Sequence, residues 1–150
     1  MTPSLSDAEL VTRLLTAALL GGVIGFEREL RQKTAGLRTN ILIAIGSALF
    51  TLMSYELASG VQGADPGRLA AQIVTGIGFL GAGAIIRRDG GVQGLTTAAT
   101  VWVNAAVGVA AGGGEYHLAF IATIVTVVVL LLLHPIEKMI DHHFGSRHKD

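Results

Sequence analysis

The stretch from Phe120 to Leu133 reads FIATIVTVVVLLLL, fourteen residues with no charge and only two threonines for polarity. A helix on the surface of a water-soluble protein needs a polar stripe every three or four residues, and this stretch has none. Extended back to Glu115 it approaches the ~20 apolar residues that cross a bilayer core of ~30 Å. Four further runs share the character, at about 6–26, 39–58, 66–86 and 96–111, with this one at 115–133. The fold class expected is therefore an all-α membrane protein with about five transmembrane helices. Residues 1–133 form the transmembrane bundle, and 134–150 form a short cytoplasmic tail.

Composition agrees. Apolar residues make up 51% of the 150 and charged residues 15%, against about a quarter charged in an ordinary soluble domain. The 20 glycines follow no collagen period and suit close-packed membrane helices. With formal net charge zero and 5% aromatics, nothing points to nucleic acid. With no cysteine, disulfides and thiolate metal or redox sites are excluded. Residues 1–9 hold Asp7 and Glu9 and no Lys or Arg, so the first run reads as a retained helix rather than a secretory signal.

Local signals mark the helix starts. Ser6 and Glu9 make an S-x-x-E capping box, and Asp65-Pro66 supplies an N-cap and a proline at the first helical position. His134-Pro135 is expected to end the fifth helix, with Ile136, Met139, Ile140 and Phe144 spaced for a short interfacial helix beyond it. Basic residues give direction. Arg28, Arg31, Lys33, Arg38, Arg87, Arg88, Lys138, Arg147 and Lys149 fall on one side, and Arg13 and Arg68 on the other. The positive-inside rule then places the N-terminus outside and the C-terminus in the cytoplasm.

A shift of 58 positions superposes Gly25 on Gly83, Gly36 on Gly94, Leu37 on Leu95, Thr39 on Thr97 and Ala48 on Ala106. Helices 1–2 and 3–4 would then be a parallel repeat, the alternative being coincidence in a chain rich in small residues.

Two kinds of residue carry functional weight. The first are small residues four apart, Gly21 with Gly25 and Gly78 with Ala82, which let helices approach closely within the bundle or between protomers. Gly76, Gly78 and Gly81 spell G-x-G-x-x-G, but in mid-helix with no preceding strand, so helix packing, with Gly83 included, replaces the dinucleotide reading. The second are charged and amide groups at membrane depth, which are costly in hydrocarbon: Glu27, Arg28, Arg38, Asn40, Glu56, Asp65, Arg68, Gln72 and Asn104. They either line a polar site or anchor helix ends and bond across helices. For Asp65 and Arg68 an N-cap and an i,i+3 pair suffice, whereas Gln72 and Asn104 cannot reach an interface by snorkelling. Thr39 and Thr97, with Arg38, stand at helix starts that could hold an anion or simply be capped. Asp141, His142, His143 and His148 lack the ordered spacing of a metal site, and no catalytic constellation is present, so no cofactor and no enzymatic activity are expected.

The blocks GFERE (25–29), GLRTN (36–40), DPGRLAAQ (65–72), GIGFLGAG (76–83) and GLTTAATVW (94–102) resemble the MgtC/SapB family of bacterial inner-membrane proteins over roughly residues 10–133. The resemblance implies a multi-pass inner-membrane protein associated with growth under magnesium limitation. In pathogens it implies survival inside host cells, and in some members restraint of the proton-translocating ATP synthase. Carried onto this chain it marks Glu27, Arg28, Gly36, Arg38, Thr39, Asp65, Arg68, Gln72 and Asn104. Longer members carry a cytoplasmic C-terminal domain, so this chain is expected to match the short, membrane-only form. The function expected is a non-enzymatic regulator acting through contacts with a second copy, as a homodimer, or with another membrane complex such as ATP synthase. The alternative is a small ion or solute transporter. Mg²⁺ prefers carboxylate oxygens, and the acidic residues near the spans lie toward their ends, which weighs against its passage through the core.

Overall fold

The computed structural model describes residues 5–59, 61, 63–65, 67–88 and 91–144. Among them are five helices, α1 (Asp7–Leu30), α2 (Leu37–Ala58), α3 (Gly67–Ala84), α4 (Leu95–Gly113) and α5 (Tyr116–Phe144), and a two-stranded hairpin, β1 (Ile86–Arg88) and β2 (Gly91–Gln93). The spans of α1, α2 and α4, and residues Tyr116–Leu133 of α5, are each long and apolar enough to cross a membrane. Their outward faces are studded with exposed large apolar side chains, among them Leu19 at 70%, Leu42 at 68% and Leu132 at 60%. Such surface is tolerable only against lipid or a partner, and this is an all-α membrane protein.

The apolar part of α3, Ala71–Ala84, is shorter than the other spans. The 18 residues of the whole of α3 still rise about 27 Å. The contacts of its neighbours require that crossing. Asn104 of α4 bonds Asn40 of α2, 64 positions earlier. Gly108 seats on Ala44 and Gly112 on Ala48 at the same offset. Helices α2 and α4 therefore run parallel and in register, and α3 must bring the chain back between them. Antiparallel to both lies α1, with Gly25 against Leu37 and Asn40 and Arg13 bonded to Gly112.

The core is built from small residues. One cluster holds Ala17, Ala44, Ala48, Ala111 and Ala119 with Ile24, Val107 and Leu130. A second, where α3 leans on α2 and α4, holds Ile43, Ile73, Ile77, Val101 and Ala105.

Several boundaries differ from expectation. Helix α1 continues four residues past Phe26, because Glu27 and Arg31 lie one turn apart and pair along it. Helix α3 stops at Ala84, since Ile86 pairs with Gln93 in an antiparallel hairpin where a loop was expected. The sequence Asp89-Gly90 between the strands is a strong short-range hairpin signal. Helix α5 does not end at His134-Pro135 but runs through Pro135 to Phe144. A proline inside a helix removes one hydrogen bond and bends the axis, and helices of membrane proteins accommodate it.

The expected repeat is reproduced in the helix starts and not in the packing. Gly36 and Gly94 stand before Leu37 and Leu95, which open α2 and α4. Yet Gly25 is pressed against Asn40 and Leu37, while its counterpart Gly83 has nothing within 4 Å. The starts are 58 residues apart but the spatial register is 64. Helix α4 thus begins six residues, about 9 Å, farther toward the basic end of the bundle than α2.

Candidate functional site

The polar residues fall into separate groups. At the centre, Asn104 donates from Nδ2 to the backbone oxygen of Asn40 at 2.7 Å and to its Oδ1 at 3.1 Å. Asn40 donates from its own Nδ2 to the carbonyls of Ala35 and Gly36, at 2.8 and 2.9 Å. Both asparagines are fully buried. The amide chain therefore ties α4 to the first turn of α2. Oδ1 of Asn104 accepts no hydrogen bond. It lies over Gly21, where an added Cβ would stand 3.3 Å from it and 2.6 Å from Cβ of Ala44. Gly21 thus lets α1 close over the amides, its Cα hydrogens facing the orphan oxygen.

At the basic end, the carboxylate of Glu27 is shared. Arg28 donates to one oxygen from Nε at 2.5 Å, and Arg31 donates to the other from its Nε. Glu27 and Arg28 are buried, at 6% and 2% exposure. Glu29 turns elsewhere: its carboxylate accepts from the Leu37 N–H at 2.9 Å, capping α2 in place of the side chain that Gly36 lacks. A Cβ on Gly36 would collide with that carboxylate. Arg38 and Thr39 are exposed on the first turn of α2.

At the opposite end, Asp65, Arg68 and Gln72 line a pocket of about 350 Å³ with Ser54, Leu57, Ala58 and Ala64. Asp65 caps α3, accepting from the Gly67 N–H at 2.8 Å. The expected Asp65–Arg68 ion pair is not formed. The ion pairs among the described residues join Arg13 to Glu9, and Arg28 and Arg31 to Glu27. Ser6 caps α1 through the Glu9 N–H, but the Glu9 carboxylate pairs with Arg13. Arg13 also donates to the Gly112 carbonyl at 2.9 Å, clamping α1 to the end of α4. Nothing in its sequence position marks this role.

The structure thus brings Asp65, Arg68 and Gln72 together and keeps Asn104 apart from them in the packed α1–α2–α4 interior. Gln72 and Thr39 also border a larger groove of about 570 Å³ between α2 and α3. Its lining is otherwise apolar or glycine apart from Ser47, with Gly46 and Gly76 on its walls.

The glycines divide the same way. Gly21 and Gly25 are seats for α2, and so are Gly108 and Gly112, which sequence reasoning missed because two further glycines in α4 carry no local signal of which neighbour they face. On α3 most of the glycines are not used for packing within the bundle. Gly76, Gly78 and Gly83 have nothing within 4 Å, and Gly81 makes an ordinary contact with Ala98. The reason is rotational: α3 docks through Ile73 and Ile77, which turns most of its glycines outward. Among the described residues no group of three or more His, Asp or Glu could hold a metal. The side chains of Asp141, His142, His143 and His148 lie outside the described residues.

Comparison with known proteins gives a consistent answer. A profile of the MgtC family matches residues 14–139. YhiD of Escherichia coli strain K12 is 48% identical over 132 residues, covering 85% of this chain and 61% of that protein. Protein MgtC of Brucella abortus strain 2308 is 51% identical over 128 residues, covering 85% of this chain and 52% of that protein. Protein MgtC of Salmonella typhimurium strain LT2 is 48% identical over 131 residues, covering 87% and 55%. The chain spans little more than half the length of these relatives. No solved structure matches it.

Proposed function

This chain belongs to the MgtC family of bacterial membrane proteins, and from that premise we propose that it is a non-enzymatic inner-membrane regulator that acts through contacts of its lipid-facing surface. The observation that carries this reading is the division of the glycines. Those of α1 and α4 meet neighbouring helices, while Gly76, Gly78 and Gly83 of α3 and Gly46 of α2 have nothing within 4 Å, and Gly46 and Gly76 wall the α2–α3 groove. An open, small-residue face is where a helix of a second copy, giving a homodimer, or of another membrane complex such as ATP synthase can approach. The setting proposed is adaptation to low magnesium, with the N-terminus outside and the C-terminus in the cytoplasm.

The test is complementation. A strain lacking its own family member and starved of magnesium is supplied with this chain or with Gly76→Leu or Gly78→Leu. Both variants should insert at normal levels and fail to restore growth. Full growth from both would remove the basis for the proposal.

Transport is the second reading. The Escherichia coli relative carries a name that proposes it as a magnesium transporter, and Asp65 opens onto a pocket. The α2–α3 groove, however, offers Mg²⁺ only Thr39, Ser47 and Gln72 among apolar walls, and no carboxylate. Purified protein in liposomes should pass no more Mg²⁺ than empty liposomes. Flux that is abolished by Asp65→Asn would establish transport instead.

A further inference from the structure

A second, smaller pocket of about 100 Å³ lies at the basic end. The end of α1 and the turn after it contribute Arg28, Arg31 and Lys33, and α4 contributes Thr96. The remaining wall is Val129, Leu130 and Leu133 of α5. The pocket exists because of the stagger between α2 and α4. Starting six residues low, α4 sets its first turn level with the residues that follow α1, below the start of α2.

We propose that this pocket holds the phosphodiester head group of an anionic phospholipid, with the acyl chains lying along α5. Charge is the first reason. Three cations border the pocket, and the carboxylate beside them is that of Glu27, already shared by two of them. Glu29 is committed to the start of α2. Both arginines bond Glu27 through Nε, so each guanidinium keeps its Nη groups for another acceptor. Arg28 is only 2% exposed, and a nearly buried cation with a half share of one carboxylate leaves positive charge uncompensated at the membrane boundary. The start of α4 adds to it, since Gly94 provides no side-chain cap for the first N–H groups of that helix.

The wall decides the source of the phosphate. A pocket for a soluble ion would be polar all round. Here one side is α5, whose adjoining Leu131 and Leu132 are 46% and 60% exposed toward lipid. A head group seated among the cations can keep its chains on that surface. Basic pockets between transmembrane helices on the cytoplasmic side bind such head groups by this combination of charge and apolar wall.

The experiment uses the purified full chain in a neutral detergent. Native mass spectrometry and thermal unfolding are followed on adding phosphatidylglycerol, phosphatidylcholine or inorganic phosphate. Phosphatidylglycerol should bind at one site and raise the unfolding midpoint, with phosphatidylcholine and inorganic phosphate doing neither at the same concentration. Lys33→Gln and Arg31→Gln should each weaken that binding about fivefold. Val129→Trp fills the pocket and should abolish it with the charges intact. Should Val129→Trp fail to fold, Lys33→Gln still decides, because that side chain is exposed. Equal binding of phosphatidylcholine, or unchanged affinity in Lys33→Gln, would overturn the proposal. Saturation by inorganic phosphate that displaces the lipid would overturn it too, in favour of a soluble-anion site.

Discussion

At the scale of single residues, the glycines separate into those with a job and those with space. An added Cβ at Gly108 would sit 2.4 Å from the Ala44 carbonyl oxygen and 2.8 Å from Cβ of Ser47, and the nearer obstacle is backbone, which cannot swing aside. Gly108→Ala should therefore cost about 1–3 kcal/mol, the range of an overpacked core. Gly46→Ala meets nothing within 4 Å and should leave stability unchanged. Thermal unfolding of the two variants in one detergent checks the contrast; equal midpoints would show that the α2–α4 seat has room for a methyl group at Gly108. Asn104→Ala removes the bonds to Asn40 and should cost about 0.6–1.7 kcal/mol, as interhelical polar contacts in membranes do. The same unfolding measurement, run as a double-mutant cycle with Asn40→Ala, isolates the side-chain part. Asn104 was recognisable in the sequence as an amide that cannot snorkel. That Asn40 is its partner was not, because the link spans 64 residues and depends on two helices lying parallel. Glu29 was hidden for a similar reason: a carboxylate at a helix end reads as an anchor until the chain turns and brings Leu37 beneath it.

Among the elements, the helices were legible and their junctions were not. Ser6 and Asp65 announced the starts of α1 and α3 by chemistry that acts within four residues. The hairpin between α3 and α4 was overlooked because three-residue strands leave no periodicity in a chain of apolar runs, even though Asp89-Gly90 signals the turn. Gly94 closes that hairpin onto α3. Its φ of 90° is a left-handed conformation, and a Cβ there would lie 1.9 Å from the Ala84 carbonyl oxygen. Both objections apply to any other residue, so Gly94→Ala should shift the start of α4 and with it the Asn40–Asn104 link. Expression in membranes should fall several-fold against Gly36→Ala, where the obstacle is the movable Glu29 side chain. Quantitative blotting of the membrane fraction measures the difference, and equal levels would count against a special role for this turn.

Across the whole molecule, composition alone supplied the solvent, since no arrangement of these runs could hide so much apolar surface from water. Direction is a proposal that cysteine labelling can decide cleanly, because the chain contains no cysteine of its own. Val61→Cys, 60% exposed after α2, should react with a membrane-impermeant maleimide in intact cells. Lys33→Cys should react only after the membrane is opened, and the reverse pattern would invert the topology. The face proposed for a partner was not legible at this scale: spacing showed that α3 bears small residues but not which way it is turned, and Ile73 and Ile77 set that rotation. The parallel seating of α4 on α2 also limits how the protein can move. Gly108 and Gly112 occupy successive notches one turn apart, so α4 has no intermediate resting places along α2. It can stay or jump a full turn of about 5.4 Å, breaking the amide link as it goes. The α1–α2–α4 trio therefore behaves as a keyed shaft, and graded motion is left to the two helices mounted on its outside, α3 and α5.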